Sequence, residues 1–509
     1  HAPRAGPLVW FALFNEPRRF DRLPAPEASC PDIGPWKADL SDGDFRTRVT
    51  RIRDYIAAGD IYQANLTCRF TCPFAADAYS LFHRLWERQP VGHAAFLTTD
   101  AGAILSLSPE LFFELDGTAL SMRPMKGTAA RGRWRLEDLE AAARLARSPK
   151  DRAENAMIAD MVRNDCGRIA TPGSVVTERA FAVERYRTVW QMTTTVTART
   201  AAPVPELFGA LFPCASVTGA PKVRSMQIIR DLEASPRGVY CGAVGFLAPG
   251  RRASFNVAIR TLYADGAQAS YGAGAGIVWD SRPDLELAET RAKMAILADA
   301  DTPFELLETL LWRPQAGYRL LSGHMHRLRQ SAAHFDFSFD ASHIVERLLE
   351  EAAAFPAAPQ RVRLLLARNG AIRIEHAPFA VDRARPVRRL ALAGEPVNPA
   401  DTFLYHKTTR RALYDRLRAS VPSAADDVLL YNTRGEVTET SIANIIVRIG
   451  GQWLTPAIDC GVLPGVMRAR LTTHRQVREA NIRVADLPHA DAIMVFNSVR
   501  GFSPAILMQ

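Results

Sequence analysis

Apolar and polar positions along the chain alternate between two periods. In DFRTRVTRIRDYIAA (44–58) the apolar residues recur at helical spacing, and Gly59 follows as a stop, so the segment predicts a helix. IYQANLTCRF (61–70) and GAILSLSPELFFELDG (102–117) read as strands, and the closing Asp-Gly predicts a hairpin. Residues 135–169 predict a long helical stretch. Residues 237–280 read as strands with Gly-rich turns ending in YGAGAGIVWD, and the charged DLELAETRAKMAILADA (284–300) predicts a helix. Near 300 the texture changes, and FELLETLLWRPQAGYRLLSGHMHRLRQSAAHFDF opens a new strand–turn–helix pattern. Strands in runs followed by helices predict an α+β fold. The 509 residues exceed one core, so two domains are predicted, 1–300 and 301–509.

Composition narrows the function. No apolar run reaches the roughly 18–20 residues of a membrane span. The opening HAPRAGPLVWFALF has too short an apolar stretch for a signal peptide, and the expected location is cytoplasmic. The net charge of +9 is spread along the chain without a basic block, which disfavours nucleic-acid binding. Seven cysteines, at 30, 68, 72, 166, 214, 241 and 460, lack zinc-site spacing and read as scattered thiols.

Three features of the first half carry candidate chemistry. Asp151 and Glu154 are spaced i, i+3, as are Glu286 and Glu289, so each pair shares a helical face. Two such faces across a cleft would suit Mg²⁺; taken alone, they also fit two solvated helix surfaces. Lys293 continues the second stripe. YGAGAG (271–276) and SVTGAPK (216–222) could offer backbone N–H groups to an anion, or simply make tight turns. The third feature is Lys126 in SMRPMKGTAARGR, sixteen residues after Glu110. Of 63 Lys+Arg only six are lysine, and an amine can act as a nucleophile where a guanidinium cannot.

GDIYQANL, SPELFF, RPMKGTAAR, DRAENAMIADMVRNDCGRI, SVTGAPKVRSMQIIRDLE, RGVYCGAVGF, FNVAIRTL and GAGAGIVWDSRPDLELAETRAKM occur in this order over about 45–298. Together they resemble the chorismate-utilising enzymes, in particular aminodeoxychorismate synthase component I. The resemblance implies two large antiparallel sheets with flanking helices. It implies Mg²⁺ on Glu154 and Glu289, with Asp151 and Glu286 nearby through water. The metal and Lys293 would bind one carboxylate of chorismate, and Arg260, Gly274, Ala275 and Gly276 the other. Thr128 and Thr218 would line the pocket. Lys126 would attack ring C2 and expel the 4-hydroxyl, with Glu110 as general acid, before ammonia adds at C4. Anthranilate synthase component I, the related alternative, usually carries Ala in place of Lys126. Ala64 falls where isochorismate-forming relatives carry a general-base lysine, and Gln191 stands where many members have His. No G-x-C-x-G glutaminase elbow is present, so a partner glutamine amidotransferase, or free ammonia, is implied.

The second half has its own constellation. Lys407 in LYHKTTRRALYDR is the only lysine after Lys293, Glu439 precedes a strand, and GVLPGVMRARL puts a Gly-containing turn at a helix start that suits phosphate. An amine, an acidic partner for a pyridinium and a phosphate-binding helix end are what pyridoxal phosphate requires. HMHRL, HKTT, TETSIAN, LPGVMR and FNSVRG over about 303–509 resemble the fold-type IV pyridoxal-phosphate enzymes, with an α+β domain of the 4-amino-4-deoxychorismate lyase kind. Aminotransferases share this pattern, and an anthranilate synthase fused to such a domain is the alternative. The resemblance implies Lys407 as Schiff-base lysine and base, and Glu439 on the pyridine nitrogen. Arg327, the Val466 and Met467 backbone and Ser498 would hold the phosphate. It also implies a homodimer.

Overall fold

The structure is a computed structural model, and it describes residues 8–27, 33–297, 303–380 and 386–508. Cys30 and the expected junction at 300/301 lie outside the described residues. The chain divides into two compact units: residues 1–130 with 141–301, and residues 131–140 with 302–509. Among the described residues no helix is long and apolar enough to cross a membrane.

The first unit is built on two sheets of seven strands each. In one, residues 64–73 of the Gln63–Pro73 strand run antiparallel to the whole of Gln268–Ile277. The other centres on Val189–Arg199, which pairs with Ala119–Arg123, Met125–Ala130 and Val176–Arg185. The 102–117 run divides between the sheets: Gly102–Ser108 belongs to the first and Leu111–Asp116 to the second, with Pro109 and Glu110 as the step. Proline lacks the N–H that a continuous central strand would need. The Asp-Gly pair turns Leu111–Asp116 into Ala119–Arg123 as a hairpin, and Gly117 takes φ +57°.

The helix predicted at 44–58 spans Asp42–Ala57 and buries Phe45, Val49 and Ile52 along one stripe. The 135–169 stretch is two helices, Arg135–Arg147 and Pro149–Gly167. Ser148 caps the second through the N–H of Asp151, and Pro149 starts it, since proline fits the first turn and no later one. The helix expected over 284–300 is shorter, Pro283–Ala292, followed by a single turn at Ala295–Leu297.

The second unit holds a four-stranded antiparallel sheet and an eight-stranded mixed sheet. Helix Leu321–Phe335 buries Met325, Leu328 and Ala332 against Leu306, Leu310 and Val362. Residues 131–140 belong to this unit: Trp134 packs with Tyr405, Leu404 and Val397, its ring 4.9 Å from that of Tyr405.

Candidate active sites

In the first unit, Lys126 lies on Met125–Ala130, where the pairing with Val189–Arg199 slips between Met125 and Thr128. Its tip points at Gly276: a Cβ there would meet Nζ of Lys126, and Nε2 of Gln63 at 2.9 Å. Burial lowers the Lys126 amine below the ordinary lysine range; Lys293 adds to this, and Glu154 opposes it. An amine so placed is more available as a nucleophile. Glu110 is 3% exposed, and its Oε1 has no partner. Burial pushes its carboxyl up to about 7, against the pull of Ser216 and Lys126, so near neutrality a large fraction of it carries a proton that it can give.

The two acidic helix faces come together electrostatically. Burial raises Glu154, opposed by Lys126 and Lys150 and reinforced by Asp151 and Glu289. Burial also raises Glu286, with Glu289 adding to it. Burial alone would raise Glu289, but the Lys293 ammonium, 2.8 Å away, outweighs it and holds the carboxyl low. Among the described residues no three His, Cys, Asp or Glu side chains form a metal cluster. Mg²⁺ needs only one or two carboxylates, the rest being water and substrate oxygens, and this all-oxygen donor set fits it.

Arg260 has φ +49°, and its Nη1 is buried without a partner. A buried unpaired N–H costs about 1–3 kcal/mol, which a carboxylate would offset. The glycine-rich strand divides its backbone groups. Thr67 N–H goes to Glu233 and Asn65 N–H to the Thr218 carbonyl, both away from the strand opposite. Their partners Gly274 and Gly276 therefore form the non-hydrogen-bonded pairs, with backbone groups on the other edge. Lys293 Nζ indeed donates to Gly274 O at 2.7 Å. Ala275 is opposite Leu66 and faces the ladder, so its expected role in binding a carboxylate is corrected.

Two further expectations change. Ala64 faces the core beside Ile228, Ala275 and Ile277, so a side chain there could not reach the site. Strand alternation gives that place to Gln63, which is fully buried, with both amide atoms unpartnered. Reading the neighbouring residue missed it, because a one-residue offset on a strand switches faces. The Thr218 hydroxyl donates within its own turn, to Cys214 O and Ala215 O, and offers a ligand only lone pairs. Thr128 donates to Gln191 Oε1 at 2.9 Å.

In the second unit Lys407 lies on a short extended segment, its carbonyl accepting from Leu307 N–H. Burial, with Arg327 and Arg411 nearby, lowers its amine to about 8. Glu439 is buried, and burial raises it to about 8; Tyr414 opposes the rise, donating to Oε1 at 3.0 Å, while Asn444 donates to Oε2 at 3.0 Å. A cationic ring nitrogen would restore its charge. Arg327 is held by Glu308 through Nε at 2.9 Å and Nη2 at 2.6 Å, and its Nη1 points to Pro464 O at 3.4 Å. Pro464 leads into helix Val466–Thr473, whose N-cap Gly465 has no side chain to take the first N–H groups. Ser498 is nearly buried between strands Ala492–Asn497 and Gly501–Leu507. Amine, carboxylate and uncapped helix end fit pyridoxal phosphate.

Glu308, Tyr414 and Asn444 fall within the predicted segments and motifs, but nothing in those stretches assigns them a role; only packing shows what they touch. The same holds for His406, next to Lys407. Burial and His334 push it down to about 3. It is therefore neutral, with Nε2 donating to Arg133 O at 3.0 Å and Nδ1 accepting from Ser331 at 2.9 Å.

A half-buried amine, a buried carboxyl within electrostatic reach of it and an unpartnered arginine Nη1 make up the candidate site of the first unit. The chain belongs to the chorismate binding enzyme family, whose model matches residues 14–299. Residues 305–506 match the amino-transferase class IV family, and the second unit has that fold. Aminodeoxychorismate synthase component 1 of Klebsiella aerogenes is 41% identical over 261 residues, 51% of this chain and 58% of the relative. Anthranilate synthase component 1 of Streptomyces coelicolor is 37% identical over 289 residues, 56% of this chain and 57% of the relative. The solved anthranilate synthase component I of Streptococcus pneumoniae TIGR4 superposes with a TM-score of 0.50 at 30% identity, covering 54% of this chain and 63% of that one. The chain thus spans a little under three-fifths of these curated relatives.

Proposed function

We propose that the chain converts chorismate and ammonia to 4-amino-4-deoxychorismate in its first unit, and that to 4-aminobenzoate and pyruvate in its second. The observation that carries this reading is the Lys126 amine, lowered by burial and within electrostatic reach of Glu110, Glu154 and Glu289. The Lys126 nitrogen forms a bond to C2 while the C4–O bond breaks, and Glu110 gives its proton so that water leaves. Ammonia then bonds to C4, the C2–N bond breaks, and the amine returns to Lys126. Two displacements deliver nitrogen to C4, whereas direct attack at C2 gives the 2-amino series.

Glu154 and Glu289 would hold Mg²⁺, with Asp151 and Glu286 through water. Lys293 would bind one substrate carboxylate, and Arg260 with Gly274 and Gly276 the other. Thr128 and Thr218 would line the same pocket. Ammonia comes from a partner glutamine amidotransferase or from solution, consistent with relatives named as component 1.

In the second unit Lys407 would carry pyridoxal phosphate and take the C4 proton as pyruvate leaves. Glu439 would pair with the pyridine nitrogen, and Arg327, the Val466 and Met467 N–H groups and Ser498 would hold the phosphate. The bound cofactor supplies an electron sink for the carbanion. Arg327 is pre-set for this by Glu308. A cytoplasmic homodimer, with the domain boundary at 300/301 along the chain, completes the proposal.

The test is to give purified chain chorismate, ammonium, Mg²⁺ and pyridoxal phosphate and to identify the aromatic product. 4-Aminobenzoate is expected. Anthranilate would overturn the reading of the first unit, and arrest at 4-amino-4-deoxychorismate that of the second.

A further inference from the structure

The strand that carries Lys126 is irregular at that residue. Met125 lies opposite Thr193 and Thr128 opposite Gln191, so Lys126 and Gly127 together oppose Met192. This is a β-bulge, which re-aims side chains and leaves main-chain groups outside the ladder. Gly127 takes φ +93°, where a side chain would be strained, and a Cβ on it would stand 3.0 Å from Cβ of Asp151.

Both carbonyls of the bulge are taken by side-chain amides. Asn155 Nδ2 donates to Lys126 O at 3.0 Å and to Met192 O at 3.3 Å, and its Oδ1 accepts from Thr194 at 2.5 Å. Gln191 Nε2 donates to Gly127 O at 2.8 Å, and its Oε1 accepts from Thr128. Each amide has its oxygen against a hydroxyl and its nitrogen against a carbonyl, so neither can be flipped without loss. Asn155 is 2% exposed and shares its helix face with Ile158, Ala159, Val162 and Cys166. Burying an amide in an apolar stripe is unfavourable unless it is fully bonded. The same helix carries Asp151 and Glu154.

We propose that Asn155 and Gln191 are positioning residues that hold the bulge and so aim the Lys126 amine at the reacting ring carbon. The proposal rests on the functional reading above. Leucine matches the size and apolar neighbours of Asn155 but leaves Lys126 O, Met192 O and the Thr194 hydroxyl without this partner, so the test reads geometry at Lys126 and not stability.

The experiment compares full-length wild type, Asn155→Leu and Gln191→Met, all neutral and close in size. Two quantities are read: kcat and KM for chorismate with ammonium, and the pH profile of Lys126 labelling by trinitrobenzenesulfonate, resolved by peptide mass spectrometry. The expected result is a fall in kcat of about ten-fold or more in each variant, with chorismate KM within about three-fold. The labelling midpoint should move up toward that of an ordinary lysine. Unchanged kcat, a loss confined to KM, or a fall in kcat without a shifted labelling profile would overturn the proposal. If Asn155→Leu fails to fold, Gln191→Met decides, since Gln191 is only half-buried. If the wild type aminates nothing, the functional reading falls. Labelling needs no turnover, and an unmoved profile then overturns the bulge proposal while a shifted one supports it.

Discussion

Nζ of Lys126 occupies the space where a Cβ of residue 276 would stand, so the amine can lie against the strand only because that residue is Gly276. Gly276→Ala should displace the amine without disturbing the core, since a misplacement of about 1 Å costs on the order of 100-fold in rate. Chorismate consumption should fall by about that factor, while conversion of added 4-amino-4-deoxychorismate stays at the wild-type rate. Steady-state assays of the two half-reactions check this, and an equal loss in both would contradict it.

Lys126→Ala removes the first nucleophile and leaves the rest of the site. Formation of 4-aminobenzoate should drop below detection, and anthranilate should appear as ammonia attacks C2 directly. Chromatographic identification of the products decides, and persistent 4-aminobenzoate would remove Lys126 from the chemistry.

Tyr414→Phe deletes the 3.0 Å hydrogen bond to Glu439 and nothing else in the site. Its hydroxyl helps keep Glu439 ionised, so its loss pushes that carboxyl higher still. Cofactor affinity should weaken by about 1–2 kcal/mol, roughly five- to thirty-fold. Titration of the visible absorbance of bound pyridoxal phosphate measures it.

Glu439 also links stability to pH. Its carboxyl is raised from 4.5 to about 8 by burial, so between these values the folded state keeps a proton that the unfolded state releases. Cofactor-free protein therefore loses stability as pH rises through that window, by on the order of a few kcal/mol. In Glu439→Gln this contribution is absent, so Tm should fall less steeply between about pH 5 and 8.5. Parallel slopes for the two proteins would refute this.

Glu154→Gln should weaken Mg²⁺ binding in the first unit without touching the second. The Mg²⁺ concentration giving half-maximal chorismate turnover should rise about ten-fold or more, since one of two carboxylates is lost. Chelation should silence the first half-reaction and spare the second. A magnesium titration of both activities checks each statement.

Local pattern determined much of this protein. The spacing of Asp151 with Glu154 and of Glu286 with Glu289 put each pair on one helix face, and the scarcity of lysine drew the eye to Lys126 and Lys407. Those signals are short-range, and backbone periodicity alone carries them. Tertiary structure decided what lies across from each residue. It assigned residues 131–140 to the second unit, turned Ala275 into the ladder and gave Gln63 the place expected of Ala64. It also brought Asn155 from a helix to the carbonyl of Lys126, 29 positions away along the chain. A bulge, a strand face and a buried partner depend on register between distant segments, which no single stretch of sequence encodes.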